Sequence, residues 1–262
     1  MNAPLEDLDA EGDALDALVD PLTAEQLALP TPAAGWTIGH QLGHLAWTDE
    51  VALIALRDAD AFQAEIAAAM ANPDTHTDST AAERAALPSD ELLARWRAGR
   101  AELSEALRAL PRGARIPWFG PSMGAASMAT ARLMETWAHG EDVAEALGVR
   151  REPTARLKNV VHLGVITLGF AYVANGLEPP TVDIHVELTA PDGDTWTWGD
   201  ADAEQRVTGP ALDFCLRVTQ RRHLDDLRLE AVGPDAETWL SIAQAFAGPP
   251  GGGQHPRREV SA

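Results

Sequence analysis

Cysteine is nearly absent from this chain: the single one, Cys215, cannot close an intrachain disulfide, so the fold must stand on packing alone. Its neighbours Leu212, Phe214 and Leu216 place it on a helix that buries it, as a small core residue. Basic residues are scarce as well, 20 against 40 acids, and Lys158 is the only lysine. A formal charge of −20 with no basic stripe repels a phosphate backbone, which argues against nucleic acid and anionic membranes as partners. No apolar run reaches the length of a spanning helix; the longest, VVHLGVITLGFAYVANG, is short and carries His162. Acids at Glu6, Asp7, Asp9, Glu11, Asp13 and Asp16 follow Met1, the reverse of a signal peptide's basic start. These absences point to a soluble, cytoplasmic protein. Internal repeats are lacking too.

What is present is 262 residues, 45% of them hydrophobic, enough for one large domain or two smaller ones. The first 150 residues read as helices. LEDLDAEGDALDALVDPL spaces Leu5, Leu8, Leu15 and Leu18 at helical intervals until Pro21 stops it. Thr37 can cap a second helix through IGHQLGHLAWTDEVALIALRD, whose apolar residues spread widely around the axis. SDELLARWRAGRAELSEALRALP opens with a capping box at Ser89 if Asp90 or Glu91 replaces the acid missing at Leu92. A fourth helix runs through SMGAASMATARLMETWAHGEDVAEALG, with Gly148 where a left-handed terminator belongs. With a polar connection over residues 71–88, these fit a four-helix bundle.

After residue 151 the pattern changes. A helix near 154–175 precedes Pro179-Pro180; VDIHVELTA, a PDGD turn, TWTWG and EQRVTG then alternate as short strands. PALDFCLRVTQRR reads as a helix, LRLEAVG as a strand and DAETWLSIAQAFA as a helix. The pattern is α+β with a small, mostly antiparallel sheet. Expected boundaries are 1–150 for the bundle, 151–247 for the α+β domain and 248–262 for a disordered Gly/Pro-rich tail.

Chemistry concentrates on the fourth helix. Glu135 and His139, four apart, are separated by about 40° of arc and roughly 6 Å of rise, so both can turn toward one ion. With His44 they make two imidazoles and a carboxylate, a tetrahedral shell with one position open. Met128, Arg132, Glu135, His139, Val143 and Ala146 share an arc, and burying such polar groups unpaired is costly. Metal ligation is one resolution of that cost; an Arg132–Glu135 salt bridge with a hydrogen-bonded His139 is the other. His40 and His44 repeat the spacing on the second helix, and either could be a third ligand or an ordinary histidine. Asp49 lies on the Ile38, Leu42, Leu45 and Leu56 stripe, placed to orient a ligand or an arginine, or to reach another helix.

GWTIGHQLGHLAWTDE, followed about ninety residues later by RLMETWAHGEDVAEALG, resembles the metal-binding domain of mycothiol-dependent maleylpyruvate isomerases, within the wider DinB-like four-helix proteins. The IPWFGPSM segment resembles an actinobacterial branch of that group, and the second half is similar to the sterol-carrier-like domain that follows the bundle in the isomerase. The resemblance implies a two-domain α+β protein with His44, Glu135 and His139 as ligands of zinc or another divalent metal. His40 departs from the family pattern, which has an acidic or other polar residue there.

Trp36 and Trp118 stand near the implied site as candidate cofactor-binding residues, with Phe119 and Trp137 close by and the Trp118-Phe119-Gly120-Pro121 turn as a pocket rim; plain core packing is the alternative. The resemblance also makes Arg221 or Arg222, in VTQRRHL, a grip for a substrate carboxylate; with Arg132 these complete the candidate catalytic groups. The activity implied is metal-dependent isomerisation or thiol transfer on a small metabolite, with mycothiol as thiol. A thiol-independent hydrolase, lyase or cyclase, and a non-enzymatic metal or ligand carrier, are the other readings.

Overall fold

A computed structural model describes residues 3–248 together with Pro250, Gly251 and Pro256. Apart from Gly248 and those three, the expected tail over 248–262 lies outside the described residues. The chain divides into two compact units, Met1–Arg151 and Glu152–Ala262.

In the first unit four long helices, α1 (Ala3–Val19), α3 (Ile38–Arg57), α6 (Ser89–Ala109) and α7 (Ala125–Ala146), pack as a bundle. Short α2 (Ala24–Leu27) precedes α3, while α4 (Ala59–Ala71) and α5 (His76–Ala85) occupy the link to α6. That link was expected to be a polar connection; its His76–Ala85 segment is instead a helix packed on α3. Gly43 makes the close approach possible, since a Cβ there would lie 2.6 Å from the carbonyl oxygen of Ala81. Thr37 caps α3 as expected, and its capping-box partner is His40. Ser89 caps nothing: Pro88 holds the N-cap position of α6, and no side-chain cap bond forms there because proline has no side-chain acceptor. Gly148, at φ +66°, follows the C-cap of α7.

The bundle interior has two apolar clusters with a polar layer between them. On α3, Ile38, Leu42, Leu45 and Ala46 join one cluster with Leu15, Trp96 and Val143. Further along, Val51, Ala52 and Ala55 join the other, with Phe62, Leu103 and Met128. Between Met128 and Val143 the inward face of α7 carries Arg132, Glu135, Thr136 and His139; Arg132, Glu135 and His139 meet partners on α3, while the Thr136 hydroxyl donates back to the Arg132 carbonyl.

The second unit opens with α8 (Leu157–Ile166) and α9 (Leu168–Ala174), two helices where one was expected over 154–175. They bend by 53° at Thr167, whose hydroxyl donates back to the carbonyls of Leu163 and Gly164. No single helix among the described residues is long and apolar enough to cross a membrane. Strands β1 (Ile184–Thr189), β2 (Thr195–Trp198), β3 (Gln205–Pro210) and β4 (Glu230–Val232) form one sheet in the order β2-β1-β3-β4. The β1–β3 pair is parallel and the two outer pairs antiparallel, so the sheet is mostly antiparallel. Helices α10 (Ala211–Val218) and α11 (Pro234–Ile242) complete the α+β fold, with Cys215 buried on α10.

Candidate metal centre

Two helices build the centre. α3 supplies His44 and α7 supplies Glu135 and His139; one ligand atom from each of the three lies within 4.8 Å of the others. Both imidazole Nε2 atoms stand 3.2 Å from the same carboxylate oxygen, Glu135 Oε2. Around a tetrahedral zinc with bonds of about 2.0–2.1 Å, ligand atoms sit about 3.3–3.4 Å apart, so these spacings fit a shared cation. The donor set fits as well: one carboxylate and two imidazoles leave a divalent ion with net positive charge and an open position. Among the described residues this is the one cluster of three or more such groups.

Orientation of His139 comes from Gln41, one turn before His44 on α3 and fully buried. The Gln41 amide donates through Nε2 to Thr31 Oγ1 at 2.8 Å, so its Oε1 turns to His139 Nδ1 and accepts that N–H. In the neutral imidazole this leaves the lone pair on Nε2, on Glu135's side of the site; in the imidazolium both nitrogens donate, Nε2 to the Glu135 carboxylate. Thr31 in turn donates to the main-chain carbonyl of Trp36 at 3.0 Å. His44 Nδ1 is buried without a hydrogen-bond partner.

The electrostatics of the metal-free cluster follow from this geometry. Burial works to raise the Glu135 carboxyl, but hydrogen bonds and charge from His139 and His44 hold it well below the usual carboxylate range. One turn earlier on α7, Arg132 is 2% exposed, and its Nε donates to Asp49 Oδ1 at 2.9 Å. Burial raises the Asp49 carboxyl despite the opposing charge and hydrogen bond of Arg132. This pairing sets aside the alternative of an Arg132–Glu135 salt bridge, because the guanidinium lies beside α3 and the imidazoles occupy the Glu135 carboxylate. Asp49 thus orients an arginine on a neighbouring helix.

Aromatic rings flank the imidazoles. Trp36 stacks on His139 with centroids 5.9 Å apart and planes at 19°, and approaches His44 at 5.5 Å. Trp47, not singled out from sequence, meets His44 at 5.7 Å. Its three-residue offset from His44 on one helix was the available signal, masked by an equally good reading as core. Trp118 stacks instead on Phe62 at 6.0 Å, and Phe119 meets the same ring edge-to-face. Trp137 is buried. His40 spends its Nδ1 on the cap of α3, 2.8 Å from Thr37 Oγ1, and is absent from the three-ligand cluster. Arg221 and Arg222 lie in the second unit, just after α10; Arg221 donates to the Thr219 carbonyl at 2.8 Å, and Arg222 to that of Arg221 at 2.6 Å.

A family model described as the mycothiol maleylpyruvate isomerase N-terminal domain matches residues 8–144, more than half of the chain and all three clustered residues. A second, described as wyosine base formation, matches residues 180–232. Two uncharacterized proteins of Mycobacterium tuberculosis, from strains CDC 1551 and H37Rv, are each 58% identical over 248 residues, covering 95% of this chain and 96% of their own length. The crystal structure of a mycothiol-dependent maleylpyruvate isomerase aligns with a TM-score of 0.59 at 15% identity, over 90% of this chain and 95% of that one. A histidine-to-alanine mutant of that enzyme aligns at 0.56 with 16% identity and the same coverage. At such identities the structural likeness speaks for the fold alone.

Proposed function

The chain belongs to the mycothiol maleylpyruvate isomerase N-terminal domain family, and from that premise we propose that it is a zinc-dependent enzyme that isomerises a small metabolite, or transfers a thiol to it, with mycothiol as the thiol. The observation that carries this reading is the convergence of His44, Glu135 and His139 from two helices within 4.8 Å. A bound divalent ion supplies a lowered pKa to a coordinated thiol or water and stabilises developing negative charge on oxygen.

The chain's own groups do the rest. Glu135 and the two Nε2 atoms would hold the cation. Gln41 keeps His139 in its ligating tautomer through Nδ1. Trp36 and Trp47 line the imidazoles and keep water from them, which strengthens charge interactions there. Arg221 and Arg222 supply guanidinium groups suited to a carboxylate-bearing substrate. A thiol cosubstrate that must stay reduced places the reaction in the cytoplasm.

The test is metal analysis of protein purified without chelator or metal resin, followed by assay of maleylpyruvate isomerisation with and without mycothiol. One divalent ion per chain and activity requiring both metal and thiol are expected. Protein that takes up no divalent ion rejects the metal reading; turnover of a substrate that is indifferent to mycothiol rejects the thiol.

A further inference from the structure

Helix α5 brings two side chains to the tryptophans that flank the cluster. Asp78 Oδ1 accepts the indole N–H of Trp36 at 2.9 Å, across 42 positions of sequence. Two residues earlier His76 packs edge-to-face on Trp47 at 5.3 Å, its Nε2 buried with no hydrogen-bond partner. One turn of one short helix therefore touches both indoles that touch His44.

α5 is a fixed support for this contact. Its backbone at Ala81 rests on Gly43, the residue before His44, where no side chain fits between the helices. Further along, Arg84 donates through Nη2 to Glu50 Oε2 on α3 at 2.5 Å. Trp36 is held at its other end as well, since its main-chain carbonyl accepts from Thr31, the partner of the Gln41 amide that orients His139. The Asp78 bond itself is exposed. An indole N–H there would find water without Asp78, so the bond adds little to stability and acts chiefly on where the ring lies.

Resting on the metal reading above, we propose that Asp78 is a positioning residue of the metal site: it holds the Trp36 indole across His44 and His139 and so sets how readily small molecules reach the cation. Loss of the carboxylate frees the ring to swing from the imidazoles while the three ligands, the stoichiometry and the bundle stay as they are. Asn at this position keeps an acceptor oxygen and the function.

The experiment follows zinc leaving the loaded full-length protein into excess 4-(2-pyridylazo)resorcinol, a small chromogenic chelator. Asp78→Ala is expected to release zinc roughly tenfold faster than the parent, the scale on which groups outside the ligand set act on a bound metal, and Asp78→Asn at close to the parent rate. Trp36→Phe, which keeps a ring and lacks the N–H, should match Asp78→Ala and covers the case that the alanine variant folds poorly. All are expected to bind one zinc per chain and to melt with the parent. A rate for Asp78→Ala within about twofold of the parent, or Asp78→Asn as fast as Asp78→Ala, overturns the role of Asp78. A parent that loads no zinc overturns the metal reading itself, so the two failures are told apart.

Discussion

His139 turns its Nδ1 to the carboxamide oxygen of Gln41, a contact across 98 positions that leaves its Nε2 facing Glu135 at 3.2 Å. A histidine whose other nitrogen has a fixed acceptor is biased toward one tautomer and one ring orientation. Gln41 can be the acceptor because Thr31 takes its amide donor.

Replacing that acceptor therefore has a defined effect. Gln41→Leu keeps the buried volume nearly constant and removes the oxygen, and zinc affinity is expected to fall by about 10- to 100-fold with stoichiometry unchanged. Competition titration against a chelator of known affinity checks it. Affinity equal to the parent's would mean that His139 is oriented by something else.

In the metal-free protein, Glu135 should make stability depend on acid. Its folded-state carboxyl is held below its ordinary value of 4.5 by the two imidazoles, although burial opposes this. A depressed carboxyl stabilises the fold above the ordinary value, and that contribution is lost as pH falls through the depressed one. Melting temperatures of chelator-treated protein should thus fall more steeply below about pH 4.5 for the parent than for Glu135→Gln. Parallel curves would contradict the pairing. With zinc present, loss of metal on acidification is expected in the parent, since protons compete with the ion for the imidazole nitrogens.

Asp49 and Arg132 should behave as a buried pair. Asp49→Ala leaves a guanidinium that is 2% exposed without its carboxylate, at an expected cost of about 3–5 kcal/mol. The double variant Asp49→Leu with Arg132→Met removes both charges and should recover most of that loss. Denaturant unfolding of the parent, the single and the double variant measures both; a double variant as unstable as the single one would give the pair a role beyond mutual compensation.

The arginines of the second unit are expected to separate substrate orientation from metal assembly. Neutralising the correct one of Arg221 and Arg222 should lower turnover roughly 10- to 100-fold, by removing a bidentate carboxylate contact, with zinc content intact. Lysine at that position should not restore the parent rate, because an ammonium cannot reproduce the planar fork. Two alanine variants with parent kinetics would exclude both residues.

Local features were legible in the sequence because they depend on neighbours a few positions apart. The Glu135–His139 offset follows from the helical repeat, the cap at Thr37 from its hydroxyl, and the end of α7 from Gly148 adopting φ +66°. Each is decided within one or two turns of chain. Tertiary structure alone decided which polar groups meet in the bundle. Arg132 was equally well placed by the wheel to pair with Glu135, yet packing of α3 on α7 gives it Asp49, 83 positions away, and leaves Glu135 to the imidazoles. Gln41, Trp47 and Asp78 carry no periodic signal that distinguishes them from ordinary helix residues. For buried Gln41 the role arises because burying a polar side chain is costly unless a partner lies opposite; for Trp47 and Asp78, as for Gln41, what lies opposite is set by how helices cross.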